Sequence, residues 1–332
     1  MVGKRILIDI GPRVHYCWHA RGFLVIYSIP GRLSHCDIAS DTAEKKEIAI
    51  EILRTIDAMR SYSSTLRQSG ETIAFVPTMG FLHKGHLSLM KKGRELADRV
   101  VVSIFVNPIQ FGPSEDLAAY PRDEARDLEM TGETGVDGVF IPDAKQMYPE
   151  GFQTTIALKA LPGHLCGLSR PGHFDGVATV VAKLLGIVRP DLAIFGEKDY
   201  QQLLVVRQMV RDLDLDVDIV GAPIVREADG LAMSSRNMYL ADDQRKAACS
   251  LYRTLTESRK RVKAGETRAD TIIASAEALI RAHPETRIDY IAVCDPSTLD
   301  AVSAIDGPVL MALAVKVGRA RLIDNMILTP GT

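Results

Sequence analysis

The sequence predicts an α/β protein, with a Rossmann-like doubly wound parallel sheet followed by a smaller α+β C-terminal domain. Between residues 72 and 220, short apolar runs alternate with helix-like segments, a pattern typical of parallel strands that are joined by helices and covered on both faces. After Pro223 the pattern changes to two amphipathic helices followed by three strand-like runs. Polar turns follow several runs of the first part, and in such folds ligands bind at the carboxyl ends of the strands.

The elements can be assigned in order along the chain. Residues 41–68 are rich in Glu, Lys, Ile, Leu and Ala at helical spacing, and Gly70 is expected to end this helix as a C-cap. Strands are predicted at residues 72–76, 100–106, 136–141, 192–195 and 217–220. For the second domain the pattern predicts helices at 242–264 and 268–282, and strands at 288–293, 309–317 and 321–327. Residues 1–44 show no sustained period, so no element is predicted there.

Composition and charge favour a protein that acts on small molecules. The 332 residues include 40 basic and 42 acidic side chains, so no global charge steers the protein to nucleic acid or to an anionic membrane. Five cysteines are widely scattered and contain no Cys-x-x-Cys pair, which argues against a disulfide framework and favours a reducing cytoplasm. The apolar run at residues 23–29 is too short to span a bilayer, so a soluble protein is expected.

Residues 75–90, FVPTMGFLHKGHLSLM, carry the strongest functional signal in the chain. An apolar run turns through Gly80 into His-Lys-Gly-His at residues 83–86 and then enters a helix-like segment. A strand that ends in such a turn and leads into a helix points backbone N–H groups and the positive end of the helix dipole at one spot, which phosphate usually occupies. The two histidines add donors that can follow charge developing on a phosphate oxygen.

Three other interpretations of this turn are weaker. The glycine spacing of residues 80–85 resembles a Walker A loop, but His86 and Leu87 stand where that loop needs Lys and Ser or Thr. His83 and His86 could ligate zinc, yet no cysteine pair or His-Glu spacing nearby completes a tetrahedral site. A pair of ordinary surface histidines at a helix start remains an alternative for this segment taken alone.

Two further polar clusters follow predicted strands. Residues 106–111, VNPIQF, leave a strand through a proline turn and present the amides of Asn107 and Gln110, which suit a hydroxylated carboxylate, although turn chemistry alone also explains Asn-Pro. Residues 195–202, FGEKDYQQ, follow a buried-looking run and place the ammonium of Lys198 where it could meet phosphates. An ordinary surface pair between Lys198 and a neighbouring carboxylate is the competing interpretation.

The last cluster is MSSRN at residues 233–237, between the two predicted domains. Two hydroxyls and a guanidinium in a row can form a compact anion clamp, because arginine can bridge two oxygens at once. Ser-Ser is also good helix-capping material, which is the structural alternative. Its position between domains favours a loop that closes over a polyphosphate.

These motifs together closely resemble one family. In this order and at this spacing, the pantoate–β-alanine ligases, or pantothenate synthetases, carry motifs similar to PTMGFLHKGH, VNPIQF, YPR at 120–122, RPGHFDGV at 170–177, GEKDYQQL and VREADGLAMSSRN. The resemblance runs from about residue 45 to the C-terminus. A His-x-Gly-His turn alone would indicate only the wider superfamily of nucleotidyltransferases and class I aminoacyl-tRNA synthetases. The division it implies is an extension or upstream start at 1–44, a nucleotide- and pantoate-binding domain at 45–224, and a domain at 225–332 that closes over the ATP site.

The resemblance implies an ATP-dependent ligase of coenzyme A biosynthesis that works in two steps. Pantoate carboxylate attacks the α-phosphate to give pantoyl adenylate and pyrophosphate, and the amine of β-alanine then displaces AMP. Positioning and charge neutralisation should dominate such a reaction. Mg²⁺ is expected to arrive with the nucleotide phosphates. Asp123, Glu124 and Asp127 are expected to lie outside its direct ligands, as outer acids. Family members are typically dimers, so the resemblance implies a homodimer that acts on these small molecules. Together with the charge and the cysteines, it leaves the expectation of a cytoplasmic protein with no nucleic acid and no membrane as partners.

The same resemblance assigns site residues by number. The implied ATP site comprises Met79, Gly80, Phe81, Leu82, His83, Lys84, Gly85, His86, Gly196, Glu197, Lys198, Asp199, Val225, Met233, Ser234, Ser235 and Arg236. Catalytic roles are implied for His83, His86, Lys198, Ser234, Ser235 and Arg236, with His86 as the proton donor. Substrate binding is implied for Gln110 with pantoate and β-alanine, for Gln202 with pantoate, and for Asn107 and Arg170 near the pocket.

Two rival functions are kept open by the sequence. An adenylyltransferase of the same superfamily would pass AMP to a phosphorylated acceptor, but the amides of residues 106–111 and the MSSR segment argue against it. A nucleotide-binding protein without catalysis would not need the full set of histidine, lysine, serine and arginine side chains. Measured turnover, and a test of phosphopantetheine as AMP acceptor, separate these alternatives from the ligase.

Overall fold

The computed structural model describes residues 8–9, 14–19, 22–27, 50–113, 115 and 117–331. Within the predicted extension, strands β1 (Ile8–Asp9), β2 (Val14–His19) and β3 (Gly22–Tyr27) form an antiparallel sheet in the order β1-β2-β3. The rest of residues 1–44, and the predicted helix start at 41–49, lie outside the described residues.

The main sheet is parallel and has six strands in the order β4-β7-β6-β5-β8-β9. Its strands are β4 (Glu51–Leu53), β5 (Ile73–Thr78), β6 (Arg99–Ile104), β7 (Gly138–Phe140), β8 (Leu192–Gly196) and β9 (Asp218–Ala222). The five strands predicted in this region are therefore confirmed, with ends that differ by a few residues. The sheet runs outward in opposite directions from β5 and β8, so the boundary between these two strands is the topological switch point of the fold.

Helices cover both faces of this sheet, as the sequence predicts. They are α1 (Ile56–Gln68), α2 (Lys84–Leu96), α3 (Glu124–Gly132), α4 (Ala144–Met147), α5 (Leu165–Ser169), α6 (His173–Val188) and α7 (Tyr200–Asp212). Along β5, Phe75 belongs to the core that contains α1, α6 and α7, while Ala74 and Val76 belong to the core that contains α2. This alternation follows from the two-residue period of a strand and explains why the runs are apolar throughout.

The second domain is a small α+β unit. Helices α8 (Asp242–Lys263) and α9 (Ala269–Arg281) precede an antiparallel sheet of β10 (Thr286–Cys294), β11 (Val309–Val317) and β12 (Ala320–Leu328). On β11, Met311 and Leu313 pack in the core with α8 and α9, whereas Leu310 and Ala312 join the core of the first domain. Both faces of β11 are thus buried. No helix of the described ranges has the length and apolarity needed to cross a bilayer.

Within the described residues, the helix predicted at 41–68 starts too early in the chain. Residues 51–53 form β4, which pairs in parallel with β7 at the edge of the sheet. The helix begins only at Ile56, where Thr55 accepts a hydrogen bond from the Ala58 amide and caps the N-terminus. Long-range pairing with β7 therefore overrides the local helical pattern. The predicted stop at Gly70 is confirmed, since Gly70 has a φ of 77° and the following amide bonds back to the last helical turn.

Candidate active site

The switch point brings three of the predicted motifs to one edge of the sheet. The histidine turn follows β5, the turn with Lys198 follows β8, and the Asn107–Gln110 turn follows β6. Because β6, β5 and β8 are neighbours, their carboxyl ends and the turns that leave them lie side by side. This crevice is where an open parallel sheet binds its ligand.

A buried carboxylate holds the histidine turn in shape. Asp127 accepts hydrogen bonds from the amides of Phe81 and Leu82, both at 2.7 Å. Gly80 has a φ of 77°, and a Cβ there would lie 2.9 Å from an Asp127 oxygen, so glycine is required. Phe81 also has positive φ, at 50°. Asp127 thereby stabilises an otherwise unfavourable turn that aims the start of α2 into the crevice.

The two histidines form a capping box at the N-terminus of α2. The Gly85 amide donates to Nδ1 of His83 at 3.2 Å, and the His83 amide donates to Nδ1 of His86 at 3.3 Å. Each Nδ1 therefore accepts, which places the proton of the neutral ring on Nε2. The rings stack with centroids 4.0 Å apart. Both histidines can thus donate from Nε2 to one anionic ligand.

Burial keeps both histidines neutral in the ligand-free protein. Burial, reinforced by the positive charge of Lys198, lowers the pKa of His83 to about 4. Burial also lowers the pKa of His86 well below its ordinary value, with His83 and Lys198 as further causes. An anionic ligand reverses these charge effects, because phosphate oxygens favour the protonated ring.

We expect the titration of His83 to respond to ATP. On folding its pKa falls from 6.5 to about 4, so the stability it contributes is complete above pH 6.5 and is lost as pH falls towards 4. ATP should move the midpoint upwards by neutralising the positive field of Lys198. Imidazole NMR signals, assigned with His83→Gln, measure this shift. Signals of His283, which lies outside the cleft, serve as the control, and an ATP-independent His83 titration would contradict the expectation.

The Lys198 turn faces the histidines from the adjoining strand. The Lys198 side chain is 21% exposed, and its Nζ lies 3.7 Å from the Asp199 carboxylate. The surface ion pair that the sequence left open, between Lys198 and Asp199, thus exists, but at this separation it contributes little to stability. From the second domain, Asn325 donates to the backbone carbonyls of Glu197 and Lys198 at 2.9 and 3.0 Å. The lysine is therefore presented by a turn that β12 supports.

The MSSRN segment closes the crevice from the second domain. Ser234 caps a short 3-10 helix at Ser235–Tyr239 by accepting from the Arg236 amide at 3.3 Å, so the capping alternative holds for this serine. Asn237 donates to Glu227 at 2.7 Å and to the Ala232 carbonyl at 3.0 Å. These bonds fold the segment back on itself and place its hydroxyls and guanidinium opposite the histidine turn.

Two predicted substrate side chains are already engaged within the protein. Asn107 is 1% exposed, and its amide contacts Tyr148, Gln110 and the Gly176 carbonyl. Arg170 donates to both carboxylate oxygens of Glu115, at 2.7 and 2.5 Å. These contacts favour an orienting contribution from both residues.

His173 extends the arrangement around Arg170. An Arg170 nitrogen lies 3.0 Å from Nε2 of His173, and Nδ1 lies 2.8 Å from the Gln110 carbonyl. Because guanidinium only donates and carbonyl only accepts, the ring is neutral with its proton on Nδ1. Burial lowers its pKa to about 4, and Arg170 adds to the shift. His173 thus fixes the Gln110 backbone.

Most of the predicted nucleotide residues line one pocket. The members that converge there are Met79, His83, Gly85, His86, Gly196, Lys198, Asp199, Val225, Met233, Ser234, Ser235 and Arg236. Gln202 lines the same pocket and an adjoining one that contains Arg170. The structure places five predicted residues outside this lining, namely Gly80, Phe81, Leu82, Lys84 and Glu197. Leu82 is fully buried in the core and Lys84 is exposed.

The three outer acids have structural partners. Asp127 holds the histidine turn, Asp123 caps α3 through the Arg126 amide, and Glu124 pairs with Arg54 at the surface. Across the described ranges, no group of three or more His, Cys, Asp or Glu side chains could hold a metal ion.

Several residues of the cleft escaped the sequence analysis. Tyr120 lines the pocket that contains the histidine turn, His173 and Asn325 line the adjoining one, and Tyr148 lies behind it. Tyr120 and His173 were visible only as parts of the motifs at 120–122 and 170–177. Asn325 and Tyr148 act through contacts across long stretches of chain, which single-sequence patterns do not reveal.

The pantoate-beta-alanine ligase family model matches residues 51–327 of this chain. A pantothenate synthetase of Desulfatibacillum aliphaticivorans is 59% identical over 281 residues, which are 85% of this chain and 100% of that protein. The crystal structure of pantothenate synthetase from Thermus thermophilus superposes with a TM-score of 0.80 at 46% identity, covering 85% of this chain and 100% of that one. A pantoate-beta-alanine ligase from Francisella tularensis, complexed with beta-gamma ATP and beta-alanine, gives 0.70 at 34% identity, covering 84% and 98%.

Proposed function

This chain belongs to the pantoate-beta-alanine ligase family, and on that premise we propose that it uses ATP to join pantoate and β-alanine at the cleft described above. The observation that carries the assignment of the site is the convergence of His83, His86, Lys198 and the Ser234–Arg236 segment on one pocket at the switch point. Donors on three separate elements then face the same space, as a bound polyphosphate requires.

In the first step a pantoate carboxylate oxygen attacks the α-phosphorus of ATP. A mixed anhydride, pantoyl adenylate, forms as the bond to the bridging oxygen breaks and pyrophosphate leaves with that electron pair. The Nε2–H groups of His83 and His86 and the ammonium of Lys198 suit the stabilisation of the charge that moves onto the phosphate oxygens. Mg²⁺ carried by the nucleotide would neutralise further charge on the same oxygens.

In the second step the neutral amine of β-alanine attacks the carbonyl carbon of the adenylate. An amide bond forms, the bond from that carbon to the phosphate oxygen breaks, and AMP leaves with that electron pair while the nitrogen loses one proton to solvent. The donors that served the first step remain beside the departing phosphate. We propose that Gln110 lies close to both substrates, because its turn leaves β6 next to the histidine turn.

Gln202→Ala should weaken pantoate binding and spare ATP. Gln202 lines both pockets, and among the described residues its side chain has no hydrogen-bond partner, so its amide is available to a ligand. Loss of one such contact costs about 1–3 kcal/mol. Steady-state KM values for pantoate and for ATP show whether only pantoate binding is weakened. Gln208→Ala, nearer the C-terminal end of α7, is the control. An equal rise in the KM for ATP would refute the assignment.

We also propose that the protein is a homodimer in the cytoplasm. Within each chain we propose that the boundary between the two domains lies at 224/225. Residues 153–158 lie outside the helices and strands and are largely exposed, and of their backbone amides in the described chain only that of Ile156 has a partner, the Thr179 hydroxyl at 2.9 Å. An exposed segment with unpaired amides can form hydrogen bonds with its copy in a second molecule. Free thiols at Cys166, Cys249 and Cys294 suit a reducing compartment. Sedimentation equilibrium tests the dimer.

The decisive experiment measures pyrophosphate and AMP from ATP, Mg²⁺ and pantoate, with and without β-alanine. Pyrophosphate that requires pantoate, followed by AMP and pantothenate only when β-alanine is added, supports the proposal. Transfer of AMP to phosphopantetheine would instead favour an adenylyltransferase. Binding of ATP without any product would leave a nucleotide-binding protein. The same assay on a chain that begins at residue 45 tests whether residues 1–44 contribute.

A further inference from the structure

A chain of three hydrogen-bonded side chains lies behind the cleft. The Tyr148 hydroxyl donates to Oδ1 of Asn107 at 2.6 Å, and Nδ2 of Asn107 lies 2.9 Å from Oε1 of Gln110. The same Nδ2 lies 3.1 Å from the Gly176 carbonyl. These groups come from the end of α4, the turn after β6 and the first turns of α6, so three elements meet at Asn107.

The chemistry of these partners fixes the direction of every hydrogen bond. A backbone carbonyl can only accept, so the atom of Asn107 that faces Gly176 must be its NH₂ group. That NH₂ group then requires an oxygen on Gln110, which places Nε2 on the far side of the Gln110 amide. Nε2 points to Met79, a lining residue of the nucleotide pocket, with its sulfur at 3.2 Å. A thioether is a weak acceptor, so the Nε2 protons remain available to a stronger one.

We propose that Tyr148 is a positioning residue which, through Asn107, locks Gln110 as a hydrogen-bond donor towards the substrate. The site therefore selects an acceptor at this point, such as a carboxylate or hydroxyl oxygen. The identity of that acceptor as pantoate depends on the function proposed above. Asn107 orients the Gln110 amide and does not itself contact the substrate, which accounts for its burial.

Neighbouring side chains hold both ends of the Tyr148–Asn107–Gln110 chain of hydrogen bonds, which we call the relay. The Tyr148 ring packs edge-on against Phe152, with centroids 5.1 Å apart, and Lys183 lies over both rings. At the other end, the His173 ring fixes the Gln110 carbonyl. Gly176 permits the close approach of α6, because a Cβ there would lie 2.5 Å from the Ile109 carbonyl oxygen. Among the described residues, Asn107 is then the strong hydrogen-bond partner that sets the direction of the Gln110 side chain, since the Met79 sulfur is a weak acceptor.

Two substitutions at Asn107 distinguish direction from packing. Asn107→Asp keeps an acceptor for Tyr148 but presents oxygen to Gln110, so the Gln110 amide should turn and face the substrate with Oε1. Asn107→Leu removes the hydrogen bonds and leaves Gln110 free to rotate. We expect the KM for pantoate to rise about a hundredfold for Asn107→Asp, because the substrate loses a donor and meets an acceptor in its place. For Asn107→Leu we expect a rise of about tenfold, because the donor is only no longer held in place. A purely structural role of Asn107 predicts the opposite order, because Asp keeps the shape of Asn and the Tyr148 bond whereas Leu keeps neither.

Tyr148→Phe supplies an independent test, since it keeps the ring and removes only the hydroxyl. It should raise the KM for pantoate about tenfold and leave the KM for ATP unchanged. In a Gln110→Ala background it should have no further effect on KM. Tyr62→Phe, a half-buried tyrosine away from the cleft, is the matched control. Thermal unfolding of every variant identifies any that fail to fold.

The outcomes separate this inference from the proposed function. A wild-type protein that forms no pantothenate would refute the function itself. An active wild type in which Asn107→Asp is no worse than Asn107→Leu, or in which Tyr148→Phe and Gln110→Ala have additive effects, would overturn the relay. An equal rise in the KM for ATP would overturn it as well.

Discussion

His86→Ala should lower the rate of adenylate formation by several hundredfold. His86 sits at the N-terminus of α2 with Nδ1 occupied by the His83 amide, so its Nε2–H is a preorganised donor at the proposed phosphate site. Removing one preorganised donor from such a site lowers the rate about 10²–10³-fold. Rapid-quench measurement of pyrophosphate release in a single turnover reports this step directly, without the second half-reaction.

Two further variants separate the catalytic donor from the helix cap. His86→Asn places an amide oxygen near the position of Nδ1, so the bond from the His83 amide can persist while the donor at Nε2 is lost. His86→Gln can place an NH₂ group near Nε2 and should recover part of the rate. If His86→Asn kept wild-type rates, His86 would act only as a cap and the proposed donor role would be wrong.

Local signals in the sequence were sufficient for the strands and for the turns that follow them. The histidine turn and the Lys198 turn are each contiguous, so their residue types and the preceding apolar runs predict both the element and its end. The parallel order of the sheet then brings these two turns together, because strands that neighbour one another deliver their turns to one edge. The MSSR segment is contiguous too, but it reaches the crevice from the second domain.

Contacts between distant residues could not be predicted in this way. Asp127 looks like a surface acid on α3 and yet holds the turn 46 residues earlier. Residues 51–53 look helical and yet pair with β7. Asn107 looks like a substrate ligand and yet is bound by Tyr148, which is 41 residues away. In each case a hydrogen bond across the fold decides the role, and no local period encodes it.

Two adjacent residues of β12 connect the second domain to both sides of the cleft. Asn325 bonds to the turn that carries Lys198, and Asp324 binds the guanidinium of Arg226, at 2.6 and 2.9 Å. Arg226 also donates to the Gly230 carbonyl and lies over the Tyr252 ring, 4.1 Å from its centroid. The Arg226–Asp324 pair therefore anchors the strand of chain that leads into the MSSR segment.

Asp324→Ala should be strongly destabilising. The Asp324 side chain is 2% exposed and that of Arg226 is 18% exposed. The substitution therefore leaves a desolvated guanidinium whose one remaining acceptor among the described residues is the Gly230 carbonyl. Breaking a buried pair by removing one partner costs about 3–5 kcal/mol. Urea-induced unfolding, followed by circular dichroism with and without ATP, measures the loss of unfolding free energy.

The double variant Arg226→Met/Asp324→Leu separates the effect of the ion pair on stability from its effect on ATP binding. Replacing both partners by apolar groups of similar length removes the unpaired charge, and such replacements often restore stability. We expect unfolding free energy to recover towards wild type while the KM for ATP stays raised about tenfold, because the bidentate bond no longer fixes the approach to Ser234 and Arg236. A double variant as unstable as Asp324→Ala would assign the loss to packing, and one with wild-type KM would mean that the MSSR segment is positioned without the pair.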